Sequence, residues 1–254
     1  MCIDCGCPGG EQHSHHHHDH PGHAHEAPAG QKRTLSVEQD ILAKNDGLAA
    51  NNRALFARHG LLTLNLVSSP GSGKTSILER TLRDLAGELG FAVLEGDQQT
   101  TNDARRIAAT GAPVHQINTG AGCHLDAHMV AHGVEHFDLR TTDVLMIENV
   151  GNLVCPASFD LGEDLKVAVL SVTEGEDKPL KYPYMFRAAR LMLLNKIDLL
   201  PHLRFDVARC REAALQVNPN MEILELSCQS GEGMAAWYDW LREQVAAKNS
   251  AKEN

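Results

Sequence analysis

Ser68-Ser69-Pro70-Gly71-Ser72-Gly73-Lys74-Thr75 follows directly on the apolar run Leu61 to Val67, and a helical pattern begins at Ser76. Strand, glycine turn and helix in that order are the context a phosphate-binding P-loop requires. Gly71 and Gly73 let the backbone turn tightly so that its N–H groups face phosphates, and the amino end of the following helix adds a favourable dipole. Lys74 is expected to reach the β and γ phosphates and Thr75 to ligate Mg²⁺, with Ser72 and Ser76 completing the nucleotide-contacting set. The loop opens with Ser68 where the usual pattern has glycine. An ordinary glycine turn before a helix is the alternative reading, and the Gly-Lys-Thr run weighs against it.

Outward from this loop, further short aliphatic runs suit buried strands: Phe91 to Leu94, Val144 to Ile147, Val167 to Val172, Leu191 to Leu194 and Ile223 to Leu226. Helical patterns lie between them, over Ser76 to Leu89, His124 to His132 and Phe205 to Gln216. Such alternation predicts an α/β fold of the three-layer P-loop NTPase type, a mostly parallel sheet with helices on both faces and ligands at the carboxyl ends of its strands. Val37, Ile41, Leu42, Leu48, Leu55 and Phe56 follow helical spacing up to Gly60, so one or two helices precede the sheet. Residues 1–33, rich in Cys, Gly, Pro and His without apolar periodicity, read as a flexible metal-binding tail, and residues 34–254 as the P-loop domain with its leading helices.

Asn195-Lys196-Ile197-Asp198 follows the Leu191 to Leu194 strand and so emerges at the same sheet edge as the P-loop. A carboxylate there accepts from both N1–H and the exocyclic amine of guanine, a donor pair that adenine lacks, which favours GTP over ATP. Ser227 and Cys228, in Ser227-Cys228-Gln229-Ser230-Gly231, occupy the place where such folds close a loop over the base, although the same residues equally suit a polar turn. Glu148-Asn149-Val150-Gly151 leaves the Val144 to Ile147 strand where a carboxylate meets Mg²⁺ through water and a glycine senses the γ phosphate. Asp97, ending the Glu-Gly-Asp run after another strand, is the second candidate for the Mg²⁺ shell. A solvated strand end is the competing reading for both acids.

The formal net charge of −10 over 254 residues disfavours nucleic acid and anionic membranes as partners. The start of the chain has no basic leader or apolar stretch, so a cytoplasmic location is expected. Seven cysteines in a reducing compartment read as free thiols, and their clusters as metal or redox sites.

Cys2, Cys5 and Cys7 place three thiols close together around Gly6, a donor set suited to borderline metals such as nickel. Removal of Met1 would expose an α-amine on Cys2 as a fourth ligand. A redox pair and a zinc clip are the competing readings. The histidine run from His13 to His20, with His23 and His25, loads divalent ions loosely. An engineered tag is its alternative reading, disfavoured by the internal position and the interspersed Asp, Pro, Gly and Ala. Within the globular part, Cys123 and His124 form a further candidate metal pair, and Cys155 lies four residues beyond Gly151, so a switch moving Gly151 carries a metal ligand with it. Cys210 and Cys228 show no such pairing and read as buried thiols.

Taken together, Cys-x-x-Cys-Gly-Cys, the histidine-rich tail, the Ser68–Thr75 loop, Gly-Cys-His-Leu-Asp-Ala (122–127), Glu-Asn-Val-Gly-Asn-Leu-Val-Cys-Pro (148–156) and Asn-Lys-Ile-Asp (195–198) resemble the HypB family of hydrogenase nickel-incorporation GTPases, members of the SIMIBI class. The cysteine-bearing motifs carry the specificity, because related urease-accessory GTPases share the P-loop and base motif; Ser68 is usual in the family. The resemblance implies slow GTP hydrolysis to GDP coupled to nickel delivery into the [NiFe]-hydrogenase large subunit. It also implies a nucleotide- or metal-dependent homodimer and a zinc-containing HypA-type accessory partner. Cys2, Cys5 and Cys7 are then a tight nickel site, and Cys123, His124 and Cys155 a weaker nickel or zinc site. Nickel storage, or service to another nickel enzyme such as urease, are the alternative functions.

Overall fold

The computed structural model describes residues 29–97 and 101–252. Cys2, Cys5, Cys7 and the histidine run lie outside these described residues. The chain divides between Ile41 and Leu42 into two units. The first contributes to the description only the start of helix α1 (Ala29–His59), and everything below concerns the second.

Seven strands, β1 (Leu62–Ser68), β2 (Phe91–Asp97), β3 (Val114–Asn118), β4 (Val144–Glu148), β5 (Leu165–Ser171), β6 (Ala189–Asn195) and β7 (Glu222–Glu225), form one sheet in the order β3-β2-β4-β1-β5-β6-β7. Every pairing is parallel. All seven residues of β1 are buried, as in a strand covered on both faces, and its polar Thr63, Asn65 and Ser68 are buried with the leucines. On one face, α2 (Lys74–Asp84), α3 (Asn102–Ala108) and α8 (Met234–Lys252) pack Ile77, Leu78, Ile107, Trp237 and Leu241 against Leu64, Val93, Met146 and Val167. The other face is covered in two patches. Phe56 of α1 and Val130 of α4 (Ala127–Val134) lie over β2 and β4, and Phe186 of α6 (Pro183–Ala188) and Ala214 of α7 (Val207–Val217) lie over β5 and β6. The short α5 (Lys178–Lys181) precedes α6. No described helix is long and apolar enough to cross a membrane.

The three-layer α/β architecture and the six expected strands are present. Two differences have physical reasons. Strand β3 carries the sequence Val-His-Gln-Ile-Asn and is only half-buried at the sheet edge, so it shows no apolar run to read. The helical pattern expected from His124 begins instead at Ala127, because Asp126 caps it, its carboxylate accepting from the Met129 N–H at 2.8 Å. His124 is thereby left in the loop before the helix. Helix α8, absent from the sequence reading, buries Trp237, Trp240, Leu241 and Val245 at helical spacing. A single helix, α1, precedes the sheet. Its Asn52 amide donates to the Ala127 and Leu161 carbonyls at 2.8 and 3.0 Å, and its Asn45 carbonyl accepts from the Ala127 N–H at 2.9 Å. Two polar side chains two turns apart thus fix the loops on either side of the carboxyl end of β4.

Trp237 is fully buried and its indole N–H donates to Thr81 Oγ1 at 2.9 Å, tying α8 to the P-loop helix. Trp237→Ala is expected to cost about 3–5 kcal/mol, the range for truncating a large buried aromatic. Denaturant unfolding followed by circular dichroism measures it, and a loss below about 1 kcal/mol would show that α8 is dispensable to the core.

Candidate functional site

The P-loop leaves β1 at the centre of the sheet, between β4 and β5, and its side chains are held from three directions. Gly73 sits at φ 97°, and a Cβ there would fall 2.5 Å from Asn195 Nδ2, so both conformation and space demand glycine. Asn195 donates to the Ser72 carbonyl at 2.9 Å, and Lys196, in the left-handed region at φ 64°, donates to the Gly71 carbonyl at 2.7 Å. Behind the loop, Glu174 accepts from the Ser72 hydroxyl at 2.8 Å, and Lys178 donates to Ser69 Oγ at 2.7 Å. Sequence reasoning missed Glu174 and Lys178; the polar break after β5, at the same sheet edge as the other motifs, was the available signal. Ser68 has a specific use: its buried hydroxyl accepts from Lys74 Nζ at 2.8 Å. Burial lowers the Lys74 pKa, and Glu148, Asp103, Glu95 and Glu174 oppose that shift. Ser76 Oγ accepts from Arg106 of α3 at 3.0 Å.

Thr75 donates to Glu148 Oε1 at 2.6 Å, joining two of the expected Mg²⁺ ligands. Glu148 is buried, and desolvation raises its pKa against the pull of Lys74 and the Thr75 bond. Parallel register sets Glu95 of β2 directly beside it. Since side chains alternate along a strand, both acids point to the helix α2 face, as Val93 and Met146 do two residues earlier. Burial first, and the Glu148, Asp97 and Asp103 carboxylates after it, push the Glu95 pKa up to about 8. Oε2 of each glutamate is buried with no hydrogen-bond partner among the described residues. Orphaned buried carboxylate oxygens beside a threonine hydroxyl and a P-loop are what a Mg²⁺ ion and its waters would satisfy. Asp97 lines the same cleft, of about 490 Å³, with Lys74, Thr75, Glu95, Glu148 and Gly151. Glu95 went unassigned in the sequence because only the register shows it beside Glu148.

A second cleft on the far side of Lys196 is lined by Asp198, Ser227, Cys228 and Gln229. Asp198 Oδ1 is buried and unpartnered among the described residues, as a carboxylate meant for guanine N–H donors would be. Ser227 Oγ accepts from the N–H groups of Gln229 and Ser230 at 3.2 and 3.1 Å, which shapes the loop, and the Cys228 N–H donates to Asn195 at 3.5 Å. The segment is thus a polar turn, and it lines this cleft. Cys210 is buried, and burial pushes its thiol up to about 12. Cys228, expected to be buried, is only half-buried because it faces the cleft.

Cys123, His124 and Cys155 come together although 32 positions separate the two cysteines: the Cys123 thiol donates to Cys155 Sγ at 2.9 Å, and His124 Nδ1 lies 3.5 Å from Cys123 Sγ. Among the described residues this is the one group of three Cys, His or acidic donors close enough to hold a metal ion, all within 4.8 Å of one another. Burial lowers the His124 pKa against the pull of Asp126, favouring the neutral imidazole that ligates metals. Its ring packs on Phe159 at 3.9 Å between centroids. Two thiols and an imidazole suit a borderline divalent ion, nickel or zinc.

The segment 148–155 joins the two centres through hydrogen bonds that sequence reasoning did not anticipate. Asn149, buried, accepts from the Leu125 N–H at 3.1 Å and donates to Asn65 at 3.2 Å; Asn65 donates to Glu163 at 3.0 Å, and Glu163 pairs with Lys166 at 2.6 Å. Asn152 donates to the Cys123 carbonyl at 3.3 Å. At the other end, a Cβ on Gly151 would lie 3.1 Å from Pro70 of the P-loop.

Residues 62–225 match the CobW/HypB/UreG nucleotide-binding domain family. A hydrogenase maturation factor HypB from Azotobacter vinelandii is 60% identical over 232 residues, spanning 91% of this chain and 77% of that protein. The chain belongs to the HypB family. Among solved structures, HypB from Archaeoglobus fulgidus aligns with a TM-score of 0.75 at 39% identity, covering 80% of this chain and 99% of that one. HypB from Helicobacter pylori in complex with nickel aligns at 0.77 and 39%, covering 80% and 96%. The HypB-family chain described here thus carries a nucleotide-binding domain.

The raised pKa of Glu95 has a consequence for stability. The fold favours its protonated form, so its contribution is full below the ordinary value of 4.5 and is lost as pH rises through about 8. Without nucleotide or Mg²⁺, the chain is expected to lose stability across that window, and Glu95→Gln to flatten the loss. Denaturant midpoints against pH for both proteins decide it; parallel curves would show that Glu95 is ionised throughout.

Proposed function

We propose that this HypB-family chain is a GTP-hydrolysing nickel metallochaperone, coupling its nucleotide cycle to nickel insertion into the large subunit of [NiFe]-hydrogenase. Family membership supports the maturation role. The nickel in the Helicobacter pylori relative supports the cargo, and zinc suits the same donors. The observation that carries the coupling is the pair of bonds from segment 148–155 to the metal loop, Asn149 to the Leu125 N–H and Asn152 to the Cys123 carbonyl.

In this reading the P-loop N–H groups and Lys74 bind the β and γ phosphates, and Asp198 selects guanine. Thr75, Glu148, Glu95 and Asp97 are the residues that would hold Mg²⁺, directly or through water, and the ion would supply charge neutralisation at the phosphates. The Lys74 ammonium stabilises the charge that develops as the β–γ bond to the terminal phosphate breaks and water attacks in line. Among the described residues no side chain stands out as a general base, and positioning with charge stabilisation suffices for phosphoryl transfer. A Cβ on Gly151 would crowd Pro70 at 3.1 Å, and in this reading a γ phosphate entering beside them displaces the segment. Asn149 and Asn152 pass the displacement to Leu125 and Cys123, and Cys155 moves with its own backbone. Nickel affinity then differs between the GTP and GDP states, and the linkage is reciprocal. A homodimer, a HypA-type zinc protein and the hydrogenase large subunit are the partners this cycle requires.

The coupling is tested in the full chain carrying Cys2→Ser, Cys5→Ser and Cys7→Ser, by measuring nickel affinity with GDP and with a non-hydrolysable GTP analogue. The two affinities are expected to differ by roughly fivefold or more, the usual lower range for coupled sites, and Asn149→Ala to bring them together. Equal affinities in the parent would refute it. Separately, Asp198→Ala is expected to weaken GDP binding by roughly 10- to 100-fold, the cost of losing a charged hydrogen-bond acceptor, and to leave ADP binding unchanged in equilibrium titrations. Equal losses for both nucleotides would instead assign Asp198 a structural role.

A further inference from the structure

Helix α4 carries an imidazole pair that the nucleotide and cysteine centres do not use. His128 and His132 are exposed, stand one turn apart on the same face, and bring their Nε2 atoms to 3.2 Å, with ring centroids 4.5 Å apart in an edge-on arrangement. Spacing of four residues permits such an encounter on any helix. Here the two Nε2 atoms already lie within hydrogen-bond distance of each other.

From these contacts we infer that His128 and His132 form a second binding site for a divalent transition-metal ion, separate from Cys123, His124 and Cys155. With metal–nitrogen bonds of about 2.1 Å, two nitrogens at this separation meet one ion at an angle of about 100°, close to the cis angle of a square-planar or octahedral ion and to the tetrahedral angle. Binding requires both Nε2 lone pairs, so each neutral ring carries its proton on Nδ1 in the bound state. For His132 that nitrogen lies 3.9 Å from Glu135 Oε1, beyond hydrogen-bond distance but near enough for the carboxylate to attract an Nδ1–H. Water completes the shell. Two neutral donors and no thiolate make this a weaker and faster-exchanging site than the cysteine centre, for borderline ions rather than Mg²⁺. The other close imidazole pair, His115 and His136, is stacked at 3.8 Å and 11°; parallel rings send their in-plane lone pairs side by side and do not converge on an ion.

The test is histidine modification by diethyl pyrocarbonate in the full-length protein, read peptide by peptide by mass spectrometry, so that the histidine-rich tail does not obscure the result. Nickel chloride is expected to slow modification of both His128 and His132 by roughly tenfold or more, because ligation occupies the lone pair the reagent attacks, and magnesium chloride to leave it unchanged. His128→Gln should abolish protection at His132, and His132→Gln protection at His128. Protection should persist in Cys123→Ser/Cys155→Ser. Unchanged rates with nickel, protection that survives loss of the paired histidine, equal protection by magnesium, or protection lost with the two cysteines would each overturn the site. The last result would leave the cysteine centre intact as the only binder in this region.

Discussion

The site is organised around a constraint of burial: Lys74, Glu148 and Glu95 gather at the carboxyl ends of central parallel strands, where desolvation disfavours the charged form of each. Charged groups in that setting are costly unless partners satisfy them. The protein provides only part of the satisfaction. Lys74 rests on Ser68, and Glu148 accepts from Thr75, while one oxygen of each glutamate has no partner among the described residues. A cleft that carries unsatisfied carboxylates beside a buried lysine is poised for a phosphate and its divalent ion, and ligand binding relieves the cost of having built it.

The same strand ends impose the connection to the metal loop. Strand β4 delivers Glu148 to the P-loop, and the chain must then leave the sheet. It does so through Asn149, whose side chain is itself buried and satisfies its polar atoms by bonding Leu125, Asn65 and the Val150 N–H. Asn65 is in turn a polar residue inside the central strand, held by Glu163. A run of buried amides and carboxylates of this kind tolerates few arrangements, because each displaced partner strands another. In the proposed coupling, displacement at the γ-phosphate position reaches the loop of Cys123 and His124 through these hydrogen bonds, as well as through the backbone that leads to Cys155.

Much of this was legible from short stretches. The Ser68–Thr75 loop, the Asn195–Asp198 run and the Glu148–Gly151 segment each combine an apolar strand with a polar exit, a local pattern that fixes both the element and its chemistry. Helix α8 was legible too, from Trp237, Trp240, Leu241 and Val245, but had no functional motif to draw attention to it. Other features left little local trace. Strand β3 is an edge strand whose half-exposed positions need no apolar residues. Glu174 and Lys178 support the P-loop from behind, and their sequence around 174–178 reads as an ordinary polar turn.

By itself, the sequence determined the nucleotide-binding domain and the strand–helix alternation, because backbone turn, helix dipole and polar side chain there lie within one continuous segment. It also supplied the donors of the metal centre as separate candidates. Only the tertiary structure decided that Cys123 and Cys155 touch, that Glu95 stands beside Glu148, and that Asn149 binds the loop of Cys123. These three depend on parallel register and on how loops return over the sheet edge, where contacts between distant residues are set by packing of the whole core rather than by spacing along the chain.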